Sequence, residues 1–199
     1  MVAMLNMHYH LMMAIINGDR SPVVHGPIME FNDLPFPDRK LIRNERNIEV
    51  AFADTGQRIT SFQSHRACPF QCVFCAAGFN KVLYGGNIGK APVRYRDVGN
   101  LLDEIEQVVD TYKLDLIKFS DPTWNTSMEW VSSFCKTKTE RGITVPFYPN
   151  IHATIMSPET AQLMASAGCH EVAIGIESGS PKILKQIGKG TTVQTIKNC

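Results

Sequence analysis

Strand candidates separated by single helix candidates recur along the second half of the chain, and this alternation limits the possible folds. The strand candidates start near residues 115, 145 and 172, and one helical pattern lies between each neighbouring pair. Strands that are joined by a helix usually pair in parallel, with right-handed crossovers. The sequence therefore predicts an α/β fold with a parallel sheet. Periodicity alone leaves open whether that sheet closes as a barrel.

The alternation divides the chain into two predicted parts. Residues 1–60 are rich in turn-forming residues and have no sustained period, so we predict an N-terminal extension and irregular linker there. Residues 61–199 form the predicted core. Its strands are predicted at 61–65, 114–120, 145–152 and 172–177. Its helices are predicted at 97–112, 126–142, 157–168 and 180–188, where capping residues or a serine–proline pair mark the starts.

The charge balance and composition exclude several classes of protein. Twenty Lys and Arg residues against 19 Asp and Glu residues give a formal net charge of +1, without the basic surplus of an electrostatic nucleic-acid binder. Hydrophobic residues make up 44% of the chain, which is ordinary globular usage and argues against disorder. The apolar opening, residues 1–16, is too short to span a bilayer and lacks a basic start. We expect a cytoplasmic protein that binds neither nucleic acid nor membrane.

Three of the six cysteines, Cys68, Cys72 and Cys75, are spaced as C-x3-C-x2-C. Three thiolates on one short loop can converge on an inorganic centre. Structural zinc prefers four ligands in paired C-x2-C groups, whereas a three-thiolate site suits an iron–sulphur cluster with one iron left open. A zinc-binding structural module and a non-catalytic cluster-binding fragment remain as alternatives. Cys135 and Cys169 are interpreted as buried thiols.

This motif, C-x3-C-x-aromatic-C at the end of a first strand and before β/α units, resembles the radical S-adenosylmethionine (SAM) superfamily. The resemblance implies a partial (β/α) barrel of about four units, where the family has about six. It implies that Cys68, Cys72 and Cys75 hold a 4Fe–4S cluster and that Phe74 packs near the adenine of SAM. It implies an enzyme that reductively cleaves SAM to a 5′-deoxyadenosyl radical for hydrogen abstraction or methyl transfer. The electron donor would be a flavodoxin or ferredoxin, and the substrate an unidentified small molecule or peptide.

Two further segments carry the same resemblance. Residues 175–180, Gly-Ile-Glu-Ser-Gly-Ser, resemble the family segment that contacts the ribose of SAM, which implies cofactor-binding roles for Glu177 and Ser178. Asp121 follows the second strand of the core, where the family often places a polar group near the amino end of SAM. A carboxylate can accept hydrogen bonds from ribose hydroxyls or from an amine. The alternatives are a solvated strand end for Glu177 and a turn for Asp121. His65 and His152 are interpreted as hydrogen-bonded structural histidines, with a contact to SAM or substrate as the alternative.

A narrower resemblance lies in residues 33–39, Asp-Leu-Pro-Phe-Pro-Asp-Arg. This stretch looks like the linker that precedes the radical domain in the cobalamin-associated subgroup. Full-length relatives in that subgroup carry a cobalamin domain with a D-x-H-x-x-G signature. The signature is absent from this sequence, so we do not expect this chain to bind cobalamin.

Overall fold

The computed structural model describes residues 12–13, 16–18, 31–77 and 93–199. Contacts divide the chain into two units, residues 1–37 and residues 38–199. The described part of the first unit contains a 3-10 turn, Phe31–Asp33. Most of the apolar opening lies outside the described residues, and the predicted boundary at residue 60 stays a prediction.

Short strands alternate with helices along the second unit. In the described residues, the strands are β1 Ile59–Phe62, β2 His65–Arg66, β3 Arg94–Tyr95, β4 Leu116–Phe119, β5 Phe147–Tyr148, β6 Asn150–Ile151 and β7 Ala173–Ile174. The helices of eight or more residues are α1 Asn44–Thr55, α2 Val98–Tyr112, α3 Met128–Glu140 and α4 Pro158–Ser166. The shorter helices are α5 Pro181–Ile187 and α6 Val193–Asn198, and a 3-10 turn covers Ala153–Ile155.

The strands of the core pair in parallel. β1, β4 and β5 form one sheet in that order, with Ile59 opposite Leu116 and Ile117 opposite Phe147. β6 pairs in parallel with β7, and a single parallel bridge joins Phe147 to Cys169. The parallel arrangement places the carboxyl ends of β1, β4, β6 and β7 toward the same end of the barrel. The predicted α/β fold, a partial (β/α) barrel, is confirmed.

The core lies between the sheet and the helices that follow its strands. α2 begins as predicted, because the side chain of Asp97 accepts a hydrogen bond from the backbone of Asn100. Its buried side chains recur at helical spacing: Leu101, Leu102, Ile105 and Val108. Trp124, Phe134 and Phe147 are fully buried beside them and meet edge-to-face or tilted. Such aromatic pairs add to the stabilisation gained from burial alone.

Several elements differ from the sequence prediction. Helix α1, Asn44–Thr55, is absent from the prediction because its apolar pattern is weak. Ile48 is its one buried hydrophobic residue, while Val50 and Phe52 are exposed. The third predicted strand is divided into β5 and β6, which Pro149 separates. Proline lacks the N–H that a central strand would donate. A short antiparallel pair, β2 with β3, was also not predicted.

A buried ion cluster fastens the start of the second unit to the sheet. The carboxylate of Glu104 on α2 accepts hydrogen bonds from Arg39, at 2.7 Å, and from Arg96. Arg39 also donates to the backbone oxygen of Ser61 on β1, at 3.1 Å, and its guanidinium lies 4.7 Å from the ring centre of Phe62. Two cations on one buried carboxylate satisfy its oxygens without solvent. Within the described residues, no helix combines the length and the hydrophobicity needed to cross a membrane.

Candidate functional site

The three cysteines lie on one loop that follows β2. Ala67, immediately before Cys68, adopts a left-handed backbone (φ 78°), which costs a non-glycine residue about 1 kcal/mol. Cys68 is buried, and its sulphur lies 3.5 Å from the hydroxyl oxygen of Thr123. Cys72 is half-buried and Cys75 is exposed, and the backbone N–H of Cys75 donates to the carbonyl of Cys72 at 3.1 Å. All three are free thiols, arranged from the interior to the surface.

The donor set fits an iron–sulphur cluster. All three loop cysteines carry thiol sulphurs, the donor type that binds iron in such clusters. Three soft sulphur ligands on one loop are what such a cluster requires.

A buried carboxylate holds the segment that leads into the cysteine loop. The carboxylate of Asp121, two residues after β4, accepts hydrogen bonds from the backbone N–H and the hydroxyl of Ser64 and from the backbone N–H of His65, at 2.9–3.0 Å. Burial raises the pKa of Asp121, while His65 and these hydrogen bonds oppose that shift. Asp121 therefore ties the end of β4 to the segment that enters the cysteine loop. Its predicted contact with SAM stays a prediction.

Glu177 lies beyond the end of β7 with a left-handed backbone (φ 64°). Its carboxylate accepts a hydrogen bond from the amine of Lys189 at 2.7 Å, and its side chain is 36% exposed. The same amine donates to the carbonyl of Gly175 at 2.6 Å. The carboxylate of Glu177 is thus held by Lys189 and remains partly exposed to solvent. The left-handed region is strained for a non-glycine residue.

The turn after α5 connects this pair to the cysteine loop. The carbonyl of Ile187 accepts a hydrogen bond from the backbone N–H of Val73 at 3.0 Å. Burial raises the pKa of the Cys72 thiol, the charge of Lys189 lowers it, and the neighbouring Cys68 and Cys75 raise it. The structure therefore brings Cys72, Lys189 and Glu177 into one site.

A ring stack forms another part of the site. The ring of Phe70, inside the cysteine loop, lies parallel to the imidazole of His152, with ring centres 3.5 Å apart and an angle of 6° between the planes. His152 follows β6, and its backbone N–H donates to the side chain of Asn125 at 2.9 Å. Burial and the charge of Lys189 lower the pKa of His152, while a backbone contact with Lys189 raises it. A neutral imidazole stacked on Phe70 fixes the middle of the loop.

The other two predicted site residues have different surroundings. The side chain of Phe74 is 56% exposed on the loop. The hydroxyl of Ser178 accepts a hydrogen bond from the backbone N–H of Ser180 at 3.0 Å, just before α5. Their roles toward SAM stay predictions. Sequence reasoning did not identify Lys189, although its position between two glycines after a predicted helix end was a local signal.

Most of the chain matches a known protein family. A model described as the Radical SAM superfamily matches residues 62–199. The match begins at the last residue of β1 and includes the cysteine loop and all later elements. It covers more than half of the chain. The resemblance to this superfamily, predicted from the cysteine motif and the 175–180 segment, is confirmed.

Similar proteins include methyltransferases and cobalamin-dependent enzymes. An uncharacterized methyltransferase of Pyrococcus horikoshii is 28% identical over 167 residues, which cover 79% of this chain and 35% of that protein. The structure of the cobalamin-dependent SAM radical enzyme OxsB, with aqua-cobalamin and SAM bound, is similar with a TM-score of 0.66 at 18% identity, over 94% of this chain and 29% of that one. The methyltransferase TsrM of Kitasatospora setae, with cobalamin and a [4Fe-4S] cluster bound, gives 0.60 at 14% identity, over 91% of this chain and 33% of that one.

The two solved structures show that this chain has a similar fold, and at these identities they show the fold alone. The chain spans about a third of the length of the relatives described above.

Proposed function

The chain belongs to the radical SAM superfamily, and from this premise we propose that it binds a 4Fe–4S cluster and SAM and cleaves SAM reductively. The reaction class is hydrogen abstraction or methyl transfer on a small-molecule or peptide substrate. The observation that carries the proposal is the loop with three free thiols at the carboxyl ends of parallel strands. In β/α barrels the functional groups lie at this end of the strands.

In this proposal Cys68, Cys72 and Cys75 are the cluster ligands. When bound, the cluster supplies the electron that cleaves SAM, and its remaining iron is open to SAM. The protein's part is to hold the loop. Asp121 supports the entry to the loop through Ser64 and His65.

SAM is proposed to bind beside Glu177, whose exposed side of the carboxylate can accept hydrogen bonds from ribose hydroxyls. Phe74 exposes its ring on the loop, where it can pack against an adenine. Ser178 lies next to Glu177 along the chain. A contact between Asp121 and the amino group of SAM would require Asp121 to exchange one of its present hydrogen bonds.

Methyl transfer is the reaction that the relatives favour, since the Pyrococcus horikoshii protein and TsrM are both described as methyltransferases. OxsB and TsrM have cobalamin bound. The D-x-H-x-x-G signature is absent from this sequence, so the proposal for this chain includes no cobalamin. A flavodoxin or ferredoxin in the cytoplasm is the proposed electron donor.

Anaerobic reconstitution with iron and sulphide tests the cluster assignment. Cys72→Ala should abolish the visible iron–sulphur absorption, because two thiolates cannot hold the cluster tightly. Cys135→Ala is the control. Cys135 is buried in the core, and burial raises the pKa of its thiol to about 12, so it is a poor ligand. An equal loss of absorption in Cys135→Ala would contradict the three-cysteine assignment.

The same samples separate the alternatives. Incubation of the reconstituted chain with SAM and dithionite should yield 5′-deoxyadenosine if SAM is cleaved for hydrogen abstraction. A cluster that binds SAM but gives neither cleavage nor methyl transfer would indicate a non-catalytic protein. Zinc without sulphide in metal analysis of the purified chain would indicate a structural zinc module.

A further inference from the structure

Lys189 is a nearly buried cation between two parts of the candidate site. Its side chain amine donates to the carbonyl of Gly175 at 2.6 Å and to the carboxylate of Glu177 at 2.7 Å. The residue is 8% exposed. Gly188 and Gly190 on either side of it have left-handed backbones (φ 65° and 77°), and this conformation directs the chain back toward the end of β7. A charge in such surroundings acts more strongly than one in water.

Gly175 makes room for this ion pair. A Cβ atom at position 175 would lie 2.5 Å from the amine of Lys189 and 2.7 Å from Oε1 of Glu177. Both distances are shorter than van der Waals contact, so a larger residue would displace the two head groups. The glycine of the 175–180 segment therefore has a physical role: it allows Lys189 and Glu177 to meet beside the strand end.

The turn that carries Lys189 also packs against the cysteine loop. The backbone N–H of Val73 donates to Ile187, and a Cβ on Gly188 would be 3.5 Å from the carbonyl oxygen of Gln71. The loop residues between Cys68 and Cys75 therefore contact the two residues that precede Lys189. The amine is fixed by Gly175 and Glu177 on one side and by this turn on the other.

We propose that Lys189 is a positioning residue for both cofactors: it holds the Glu177 carboxylate for SAM and raises the reduction potential of the cluster on the cysteine loop. This inference rests on the proposed function. A thiolate-bound cluster gains one negative charge when it accepts an electron, so a nearby cation stabilises the reduced state. Glu177 is the counter-charge of Lys189 and lowers that effect. The two residues therefore act on the potential with opposite signs.

The test is a redox titration of the reconstituted full chain with dithionite and mediators, in the absence of SAM, followed by the electron-spin signal of the reduced cluster. Lys189→Met should shift the midpoint to a more negative potential, since the cation is lost. Glu177→Gln should shift it to a less negative potential, since the counter-charge is lost. Lys189→Arg keeps the charge and should remain close to the wild type. A merely structural role would not produce shifts of opposite sign.

SAM titrations of the same oxidised samples provide the second readout. Glu177→Gln should weaken SAM binding roughly tenfold to a hundredfold, since charged hydrogen bonds are lost. Lys189→Met should weaken it about tenfold, because the Glu177 carboxylate is no longer held, and Lys189→Arg should restore most of the affinity. If Lys189→Met does not fold, Gly175→Ala replaces it, because the new methyl group displaces the Lys189 amine.

The matched controls remove one positive and one negative charge at exposed positions. Lys185→Met changes an exposed lysine of α5, and Glu171→Gln changes an exposed carboxylate before β7. Neither should move the potential or the SAM affinity, since solvent screens both charges. Shifts of the same sign in Lys189→Met and Glu177→Gln, or no shift in either, would overturn the inference while the assembled cluster still supported the proposed function. Failure of the wild type to assemble a cluster would overturn both.

Discussion

At the base of the cysteine loop, the imidazole of His65 and the carboxylate of Asp121 are completely buried, with Nδ1 and Oδ1 3.5 Å apart. Burial lowers the pKa of His65, while the charge of Asp121 and a backbone contact with Thr123 raise it. Burial is the largest of these effects, so His65 is neutral in the folded chain near pH 7. The hydroxyl of Ser64, 3.1 Å from Nδ1, provides a partner that a neutral ring can use.

This arrangement predicts acid sensitivity of the metal-free chain. The unfolded chain binds a proton at His65 near pH 6.5, whereas the folded chain binds it only at a lower pH. The stability from neutral His65 is thus complete above about pH 6.5 and is lost as the pH falls through the lowered pKa of the folded state. The raised pKa of Asp121 acts with the opposite sign, so a variant is needed to isolate the histidine.

Urea unfolding at pH 7.5 and 5.5 measures this effect. The free energy of unfolding should decrease less between the two pH values in His65→Gln than in the wild type. His170→Gln serves as the control, because His170 is exposed and should leave the difference unchanged. Equal losses in the wild type and His65→Gln would show that His65 does not contribute.

Local sequence was sufficient for the cysteines and insufficient for Lys189, for a physical reason. Cys68, Cys72 and Cys75 belong to one loop, so their spacing alone predicts a common ligand site. Lys189 lies near this loop because the turn after α5, which precedes it, packs against the loop. Tertiary contacts of this kind leave no period or spacing in the sequence. The same holds for Ser64, whose partner Asp121 is far away along the chain.

At the scale of secondary structure, helices with strong local signals were predicted most accurately. α2 has a capping aspartate and an apolar stripe, and its observed bounds differ from the prediction by one residue. α1 has neither a capping side chain nor a continuous stripe, and its stabilisation comes from packing against β1. Strand ends depend on pairing with neighbouring strands. The predicted strand at 172–177 is consequently reduced to Ala173–Ile174 in the structure.

One buried lysine joins the ends of two helices. Lys138, in the last turn of α3, donates to the carbonyl of Ile143 at 2.7 Å and to the carbonyl of Ala167, just after α4, at 3.0 Å. Its amine also lies 5.7 Å from the ring centre of Phe147. Burial lowers the pKa of Lys138, and Cys135 opposes that shift. A cation at two helix carboxyl ends satisfies carbonyls that would otherwise lack donors.

Lys138→Met should therefore destabilise the chain by about 2–4 kcal/mol, because it leaves two carbonyl oxygens without this donor. Lys136→Met is the matched control on the same helix. Lys136 is exposed, and its amine is 3.8 Å from Glu140, so its loss should cost under about 0.5 kcal/mol. Chemical denaturation of both variants measures the difference. If both variants lost the same free energy of unfolding, the hydrogen bonds of Lys138 would not stabilise the junction of α3 and α4.

At the scale of the whole molecule, the site is assembled from segments that follow strands of different sheets. The cysteine loop follows β2, and the Glu177 segment follows β7, and these strands lie in different sheets. The sequence predicted parallel strands with their functional groups at one end, and the structure confirms the parallel pairing. The contacts of Glu177 with Lys189 and of Asp121 with Ser64 could not be predicted, because they join residues that are distant along the chain.

The strand order leaves one edge of β7 unpaired within the described residues. Within the described residues, β7 pairs with β6 on one side, and its other side has no strand partner. Ile176, just after β7, is 44% exposed. An unpaired strand edge with an exposed apolar side chain is a template for association with another chain. We therefore expect the isolated chain to associate with increasing concentration, which light scattering coupled to size-exclusion chromatography measures as a rising mean mass.

Ile176→Lys should reduce this association, because a charge next to the unpaired edge of β7 disfavours edge-to-edge pairing. Ile183→Lys is the matched control: Ile183 is 45% exposed, nearly the same as Ile176, but it lies on α5. If exposed apolar area alone drove association, both variants would reduce it equally. If the strand edge drives it, only Ile176→Lys will do so. A wild-type chain that stays monomeric at all concentrations would show that the edge of β7 does not act as a template.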